Sequence, residues 1–499
     1  MEAYRSQIIL GSVALYMLMC IGVGLWAMRR TKDAHDFFMA GRSLGIFVTS
    51  VAVFSSTMSG FGFVGGPGLV YQMGMSSIWM VVCTAIGFAL SFHLIATRIR
   101  LFAELRDSIS LPDAVGSRYR SRSVSFWAAV AILLGVIGYL AAQIRAMATV
   151  LKNLLDDILG GYVSETGVPL EVCVAVSCAV LVFYCVTGGI IAGVYTDVVQ
   201  GVMMVVAAIL VCWAAMSAVD GGFRGMSETL VQDDPATISP WGTMGILGSL
   251  SWYFVFALGG AGQPHVVTKM MMTKKVSDIR LMLPLSIIGY SFTALLWISI
   301  GLAMRALVLQ GHHPDLVHAD SAAPQFLQSY TNPLLAGLVF AGLLAAIMST
   351  ADSFLNIGAA AVVHDIPRAV RGESLGNELF WARTATVLIA VFASLFSLYA
   401  GERMVALLGA FGWGTFAAAL VPTVAIGFNW KRATPLAANV AIITSLVVNF
   451  GVKFFQVQLP WGFDVGALSL LLSLVLFVSI SLLSRTPKLD DDIEAVMEL

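Results

Sequence analysis

Hydroxyl and carboxyl side chains recur within one long apolar segment, residues 341–366 (AGLLAAIMSTADSFLNIGAAAVVHDI). Four small or hydroxylated residues in it are spaced i, i+3, i+4 and i+7, so a helix aligns them in one stripe, with Asp352 at its edge. Hydroxyl and carboxyl oxygens are the hard ligands that alkali and alkaline-earth cations prefer. The stripe therefore predicts one half of a cation site. Its members are Ala346, Ser349, Thr350 and Ser353.

A simpler interpretation of this stripe is that its hydroxyls bond back to carbonyls one turn earlier, as they often do in membrane helices. Asp352 argues against that interpretation, because a charged group at the centre of a bilayer costs about 2.5–3.5 kcal/mol or more and usually has a function.

The composition places the chain in a membrane. Of its 499 residues 58% are hydrophobic and 11% are charged, whereas soluble domains are about 25% charged. The connections between apolar runs are too short for an appended soluble domain, and the seven histidines are scattered. We therefore expect neither an enzyme nor an organic cofactor.

Thirteen apolar runs have the length that a bilayer core requires, which is about 20 residues. Most of the 28 lysines and arginines, Lys269 among them, fall in the loops that lie inside if the N-terminus is outside. We therefore expect an external N-terminus and a cytoplasmic C-terminus. The predicted spans are 8–28, 44–72, 75–96, 124–151, 168–187, 195–218, 242–263, 281–307, 333–362, 381–400, 404–427, 435–455 and 464–484.

Two of these spans are interrupted by glycine and proline. The second contains SSTMSGFGFVGGPG and the seventh ends in GGAGQPH. Freed carbonyls at membrane depth are tolerated where they line a cavity or bind something, although close glycine packing is the alternative. The breaks lie five spans apart, which predicts two inverted repeats, 44–218 and 242–427, within one transmembrane domain covering 1–499.

Helix geometry places the two halves of the predicted cation site at similar depths. Ser55 lies about 16 Å beyond Leu44, near the midplane, and Ser349 about 24 Å beyond Pro333, slightly inside the midplane, so the two can face one another. Asp197 lies on the same cytoplasmic half as Asp352; a helix cap is its alternative role.

Five motifs follow one another along the chain: FSSTMSGFGFVGGPGLVY (54–71), SLPDAVGSRYRSR (110–122), GGIIAGVYTDVVQG (188–201), AGQPH (261–265) and MSTADS (348–353). Together they resemble the sodium/solute symporter family, and within it the bacterial sodium/proline symporters. This resemblance implies an all-α polytopic fold of the LeuT type, in which the second to eleventh spans form the inverted repeats. One further span precedes the repeats and two follow them.

By this resemblance, carbonyl and hydroxyl oxygens on the second and ninth spans form a sodium site, made of Ser55, Met58, Ala346, Ser349 and Thr350. A second cation site is implied at Asp197, Asp352 and Ser353. Asp352 replaces a hydroxyl of the family pattern, so it either strengthens that second site or turns it into a proton site.

The resemblance also implies a solute pocket between the two broken spans, lined by Phe61, Tyr139 and Phe256. Gln143, one turn beyond Tyr139, either bonds a solute carboxylate or amide or makes an interhelical hydrogen bond. Arg145 either pairs with an anionic solute or extends towards the membrane surface.

These observations predict sodium-driven uptake of a small organic solute, such as proline or a small carboxylate, by alternating access. We expect a monomer in a bacterial inner membrane, whose partners are the solute, sodium and lipid, and no nucleic acid. Coupling to protons, or to both ions, is the first alternative. The second is a solute sensor that keeps the fold without useful flux.

Overall fold

The computed structural model describes residues 4–29, 31, 33–163, 167–399 and 405–498. All regular structure in this part of the chain is helical, apart from one isolated bridge between Leu44 and Thr273. The α-helices, numbered in chain order, are α1 (Arg5–Met28), α2 (Ala34–Met39), α3 (Ile46–Thr57), α4 (Gly66–Met73), α5 (Ile78–Ser91), α6 (Thr97–Leu105), α7 (Leu111–Tyr119), α8 (Arg122–Val163), α9 (Leu170–Ala218), α10 (Gly222–Asp233), α11 (Gly245–Phe256), α12 (Pro264–Met271), α13 (Ile279–Leu309), α14 (Ala322–Tyr330), α15 (Pro333–Ala360), α16 (Ile366–Arg371), α17 (Glu378–Tyr399), α18 (Val405–Leu420), α19 (Pro435–Phe454), α20 (Val465–Leu483) and α21 (Asp491–Met497).

Eleven helical segments in the described ranges are long and apolar enough to cross a membrane. Two shorter apolar helices, Ile46–Thr57 and Leu170–Phe183, accompany them. The second belongs to α9, which is not a single straight helix: Gly189 has φ 55° and ψ −160°. A Cβ at this position would lie 2.6 Å from the Phe37 ring, so both the conformation and the packing favour glycine.

Both predicted interruptions are present. Helix α3 ends at Thr57 and a π-helical stretch, Phe61–Gly65, leads into α4. Helix α11 ends at Phe256, and the 3₁₀ stretch Leu258–Gly262 precedes α12. The prolines at the starts of α4 and α12 lie in the first helical turn, where their missing N–H groups need no partner.

The two broken segments are joined at one end. The N–H of Leu44, just before α3, donates to the Met272 carbonyl (3.3 Å), and the N–H of Lys274 donates to the Leu44 carbonyl (2.9 Å). The start of α3 is thereby paired with the chain that leaves α12.

Helix α15 forms the centre of the molecule. In its most apolar window 83% of the residues are buried, against 22% in α1, whose apolar side chains remain exposed to the surroundings. It packs against α9, α8, α1 and α3. A helix that is apolar all round and buried in this way can carry polar side chains only where neighbouring elements supply partners.

Candidate functional site

The break after α3 frees backbone oxygens in the interior. Met58 has φ −82° and ψ 84°, so its carbonyl leaves the helical hydrogen-bond ladder. Ser55, Ser56 and Thr57 are at most 4% exposed. The hydroxyl of Thr57 donates back to the Val53 carbonyl (2.8 Å), and that of Ser56 to the Ala52 carbonyl (2.7 Å). The last turn of α3 therefore presents a group of buried oxygens.

The hydroxyl stripe of α15 lies directly against this turn. Ser349 Oγ donates to the Ser55 carbonyl (3.2 Å) and to the Ala346 carbonyl (3.1 Å). Thr350 Oγ1 donates to the Ser56 carbonyl (2.8 Å) and likewise to the Ala346 carbonyl (3.1 Å). The result is a cluster of carbonyl and hydroxyl oxygens from two helices, sealed from solvent, and such hard oxygens suit a cation like sodium.

The structure thus brings together four of the five residues predicted for the sodium site. Met58 is not an acceptor of the Ser349 or Thr350 hydroxyl; the Thr350 hydroxyl contacts the neighbouring Ser56 carbonyl. Ser353, predicted at the second cation site, donates back to the Ser349 carbonyl at 3.0 Å. The Ser353 hydroxyl therefore bonds back to a carbonyl one turn earlier on its own helix, which is the simpler interpretation of the stripe.

Asp197 has a partner that the sequence analysis placed elsewhere. Lys269, expected in a cytoplasmic loop, is in α12 and 1% exposed. Its Nζ donates to Asp197 Oδ2 (2.9 Å) and to the Ala52 carbonyl (2.7 Å). The loop assignment is wrong because α12 continues for two turns beyond the break, to Met271, before the chain turns.

Asp352 is buried against α9. A Cβ on Gly193 would lie 1.6 Å from Asp352 Oδ2, so the carboxyl group rests on the glycine backbone. The Cys185 thiol lies within hydrogen-bonding range of the same carboxyl group, but Oδ2 itself has no hydrogen-bond partner among the described residues. Asp197 is one helical turn beyond Gly193 and therefore shares a face of α9 with the glycine that contacts Asp352.

The predicted solute residues surround the break in the second span. Phe61 stacks on Phe256 with ring centroids 6.2 Å apart. Tyr139 Oη lies 3.2 Å from Ser59 Oγ, and Gln143 Oε1 accepts a hydrogen bond from the Gly60 N–H at 2.9 Å. All of these side chains are nearly or fully buried, so the region around this break is closed to solvent in the structure.

Gln143 makes the hydrogen bond across helices that was one of its two predicted roles. Its Nε2 is buried and has no hydrogen-bond partner among the described residues. A Cβ at Gly60 would lie 2.7 Å from both Ala146 and Ile347, so the backbone here passes very close to α8 and α15. Gln143 Oε1 therefore supplies the hydrogen-bond acceptor for the Gly60 N–H at the break.

Gln143→Met should lower the free energy of unfolding by about 1–3 kcal/mol, because a buried N–H loses its acceptor. Thermal unfolding of the purified variant in detergent measures the loss. Gln232→Met is the matched control, since Gln232 is exposed in α10 and its replacement should stay within about 0.5 kcal/mol. Equal stability of the two variants would contradict the role of Gln143 at the break.

Three aromatic residues lie beside the predicted pocket but were not predicted from the sequence. Trp297 contacts Phe61 edge-on (5.7 Å), Trp413 lies against Phe256 (5.6 Å) and Phe354 against Tyr139 (4.6 Å). Trp297 and Trp413 belong to apolar runs in which aromatic residues are ordinary. Of the three, only Phe354 could have been found from the sequence, because it directly follows Ser353 of the hydroxyl stripe.

Arg145 and His265 have distinct surroundings. Arg145 lines a cavity of about 600 Å³ together with Lys152, His318 and Asp320. His265 is buried beside the second break, with Nε2 3.5 Å from Thr57 Oγ1 and its ring 4.8 Å from that of Phe354. The structure therefore places Arg145 at a cavity rather than beside the solute residues.

Two broken helices packed around a central helix that carries a polar stripe form the architecture of solved LeuT-fold structures. The substrate-bound, outward-open form of a Na⁺-coupled sialic acid symporter aligns with a TM-score of 0.77 at 20% identity, covering 97% of this chain and 99% of that one. MhsT in complex with L-phenylalanine aligns with a TM-score of 0.53 at 17% identity, covering 87% and 97%.

Sequence comparison identifies the family. The model of the sodium:solute symporter family matches residues 37–445, and the chain belongs to this family of sodium-coupled small-solute symporters. It is 28% identical over 442 residues to the osmoregulated proline transporter OpuE of Bacillus subtilis (strain 168), covering 87% of this chain and 86% of that protein. It is 25% identical over 445 residues to a sodium/proline symporter of Staphylococcus aureus (strain bovine RF122 / ET3-1), covering 87% and 84%.

Proposed function

We propose that sodium binds between the last turn of α3 and the hydroxyl stripe of α15, and that this binding drives uptake of a small organic solute. The observation that carries the proposal is that Ser349 and Thr350 donate across the helix interface to the carbonyls of Ser55 and Ser56. The proposed ligands are Ser55, Met58, Ala346, Ser349 and Thr350.

Coupling follows from where these oxygens lie. The turn that supplies the Ser55 carbonyl continues through Met58 into Ser59, Gly60 and Phe61, which contact the proposed solute residues. Holding this turn against α15 fixes the backbone beneath the solute pocket. Each ligand therefore raises the affinity for the other by the same factor, and loss of sodium to the cytoplasm weakens solute binding.

The solute class is an amino acid such as proline, or a small carboxylate. Phe61, Tyr139 and Phe256 offer aromatic surface to an apolar ring or chain, and Gln143 Nε2 offers a donor to a carboxylate. The resemblance to proline transporters supports the same class.

The proposed topology has thirteen spans and an external N-terminus, in the inner membrane of a bacterium, with a monomer as the working unit and no organic cofactor. This count treats α3 and α4 as one broken span and divides α9 at Gly189. The repeats remain 44–218 and 242–427, and the distribution of basic residues supports the orientation.

Purified protein in proteoliposomes should accumulate at least one member of a panel of labelled solutes when an inward sodium gradient is imposed. The panel contains proline, other amino acids, short monocarboxylates and pantothenate. Replacing external sodium with choline at constant pH should abolish accumulation, since the oxygen cluster would lack its cation. Accumulation that persists in choline would overturn the proposed coupling, and solute binding without accumulation would indicate a sensor.

Proton coupling, alone or with sodium, is the second candidate, and Asp352 is the observation that favours it. Its Oδ2 is buried against the Gly193 backbone and has no hydrogen-bond partner among the described residues, so a proton bound there would remove an unpaired buried charge. Accumulation driven by an inward proton gradient in choline, and abolished by Asp352→Asn, would establish this candidate.

A further inference from the structure

The last helix, α21, is docked on the rest of the molecule. Its apolar side chains are buried: Ile493, Val496 and Met497 are at most 7% exposed. The helix packs against α6. Burial of apolar surface favours this docked arrangement over a tail surrounded by water. The acidic side chains of α21 therefore have fixed neighbours.

Two aspartates at the start of α21 pair with arginines of the first proposed repeat, 44–218. Arg106 Nη2, at the end of α6, lies 2.8 Å from Asp490 Oδ2 and 2.6 Å from Asp492 Oδ1. Arg120 Nη1, between α7 and α8, lies 3.0 Å from Asp490 Oδ1. Asp490 thus bridges the ends of two helices of this repeat.

Two glutamates further along the chain pair with a lysine from the other half of the molecule. Lys431 Nζ lies 2.7 Å from Glu494 Oε1 and 2.7 Å from Glu498 Oε1. Lys431 lies between α18 and α19, just beyond the second proposed repeat, 242–427. Helix α21 therefore connects the first repeat to the chain that leaves the second, on the side that the proposed topology makes cytoplasmic.

The ion pairs of α21 are accessible to water, since the side chains that form them are 30–66% exposed. Exposed ion pairs are individually weak, and dissolved salt weakens them further because mobile ions screen the charges. The strength of the connection between the repeats therefore depends on the ionic strength of the solution around α21.

We infer that α21 is a cytoplasmic clamp, which holds the two repeats together and which rising ionic strength loosens. The inference rests on the proposed function, since alternating access requires one repeat to move against the other. Opening towards the cytoplasm separates the segments that α21 joins, so the ion pairs of Arg106, Arg120 and Lys431 oppose it. Screening these pairs lowers the barrier, and uptake becomes faster.

The test is the initial rate of sodium-driven uptake into proteoliposomes in which the cytoplasmic face of the protein is luminal. The probe is labelled proline, or the panel solute that the protein accumulates. The lumen contains increasing concentrations of choline chloride, external sucrose balances the osmolarity, and external sodium is constant. We expect the wild-type rate to rise by about fivefold from low to high luminal salt, because several weak pairs are screened together.

Asp490→Asn/Asp492→Asn removes the pairs of Arg106 and Arg120 and leaves the apolar contacts of α21 in place. This double variant should take up solute at low luminal salt almost as fast as the wild type does at high salt, and additional salt should have little effect.

Hydrogen exchange of residues 490–498, measured on the purified protein in detergent, reports the release of α21 without any solute. These amides should exchange faster at high salt than at low salt in the wild type, and fast at both in the double variant. Glu228→Gln is the matched control, because it breaks an exposed ion pair with Arg224 (2.7 Å) within α10, on the proposed outer side. It should keep the wild-type salt dependence in both measurements.

The inference would be overturned by a wild-type uptake rate that does not change with luminal salt, or by a double variant with the wild-type salt dependence. Faster exchange of α21 without faster uptake would also overturn it, since release of the helix would then not control transport. If neither the wild type nor the double variant accumulates any panel solute at any salt concentration, the proposed function fails instead.

Discussion

Replacing Ser349 or Thr350 with alanine is expected to raise the sodium concentration for half-maximal uptake by about tenfold to hundredfold. Each hydroxyl offers the cation an oxygen ligand, and a polar contact to a charged group contributes about 1.5–3 kcal/mol. Each also bridges α15 to α3, so its loss weakens the same interface twice. The measurement is the initial rate of solute uptake as a function of external sodium, in proteoliposomes.

Buried hydroxyls elsewhere in the chain serve as matched controls. Ser394 and Thr386 in α17 are buried and donate back to carbonyls one turn earlier, at 2.8 and 2.9 Å. Ser394→Ala and Thr386→Ala should leave the sodium dependence unchanged. Should Ser349→Ala and Thr350→Ala behave like these controls, the cluster would not be the sodium site.

The opposition of α3 and α15 could be predicted from the sequence because two independent patterns lead to it. Helical spacing aligns Ser349 with Ala346, and glycine and proline interrupt the second span after Ser55. The rise of a helix then places Ser55 near the midplane and Ser349 slightly inside it, so that the two can face one another. That these particular helices are neighbours was implied by the family resemblance and not by the two patterns.

The pairing of Asp197 with Lys269 could not be predicted in that way. From the sequence, Lys269 is expected to be the first basic residue of a loop, since a lysine at the end of an apolar run usually extends to the membrane surface. Its burial depends on how far α12 continues after the break and on which face of that helix meets α3 and α9. These are properties of the packing between distant segments, and the residues around Lys269 in the sequence do not indicate them.

Gly193 illustrates a similar limit at the centre of the fold. In the sequence it is one glycine among 47. In the structure it provides the space for the Asp352 carboxyl group between α9 and α15. The sequence motif GGIIAGVYTDVVQG indicates that this part of α9 is closely packed, but not that its neighbour is a carboxyl group.

Gly193→Ala should therefore have a large effect on both stability and uptake. The added methyl group would overlap Asp352 Oδ2, and the carboxyl group must move or the helices must separate. Overpacking of this kind costs about 1–3 kcal/mol, and a displaced buried polar group adds a comparable loss. Thermal unfolding in detergent and initial rates of uptake should both decrease. Gly22→Ala is the control, because a Cβ there has no neighbour within 4 Å.

Combining Gly193→Ala with Asp352→Ala separates a local clash from a general weakening of α9. If the carboxyl group is what the methyl group displaces, removing it should restore most of the lost thermal stability, and the two changes would be strongly non-additive. Strict additivity would mean that the effect of Gly193→Ala does not arise from contact with Asp352. Uptake need not recover in the double variant; the extent to which it does measures how far transport depends on the Asp352 carboxyl group itself, apart from its packing.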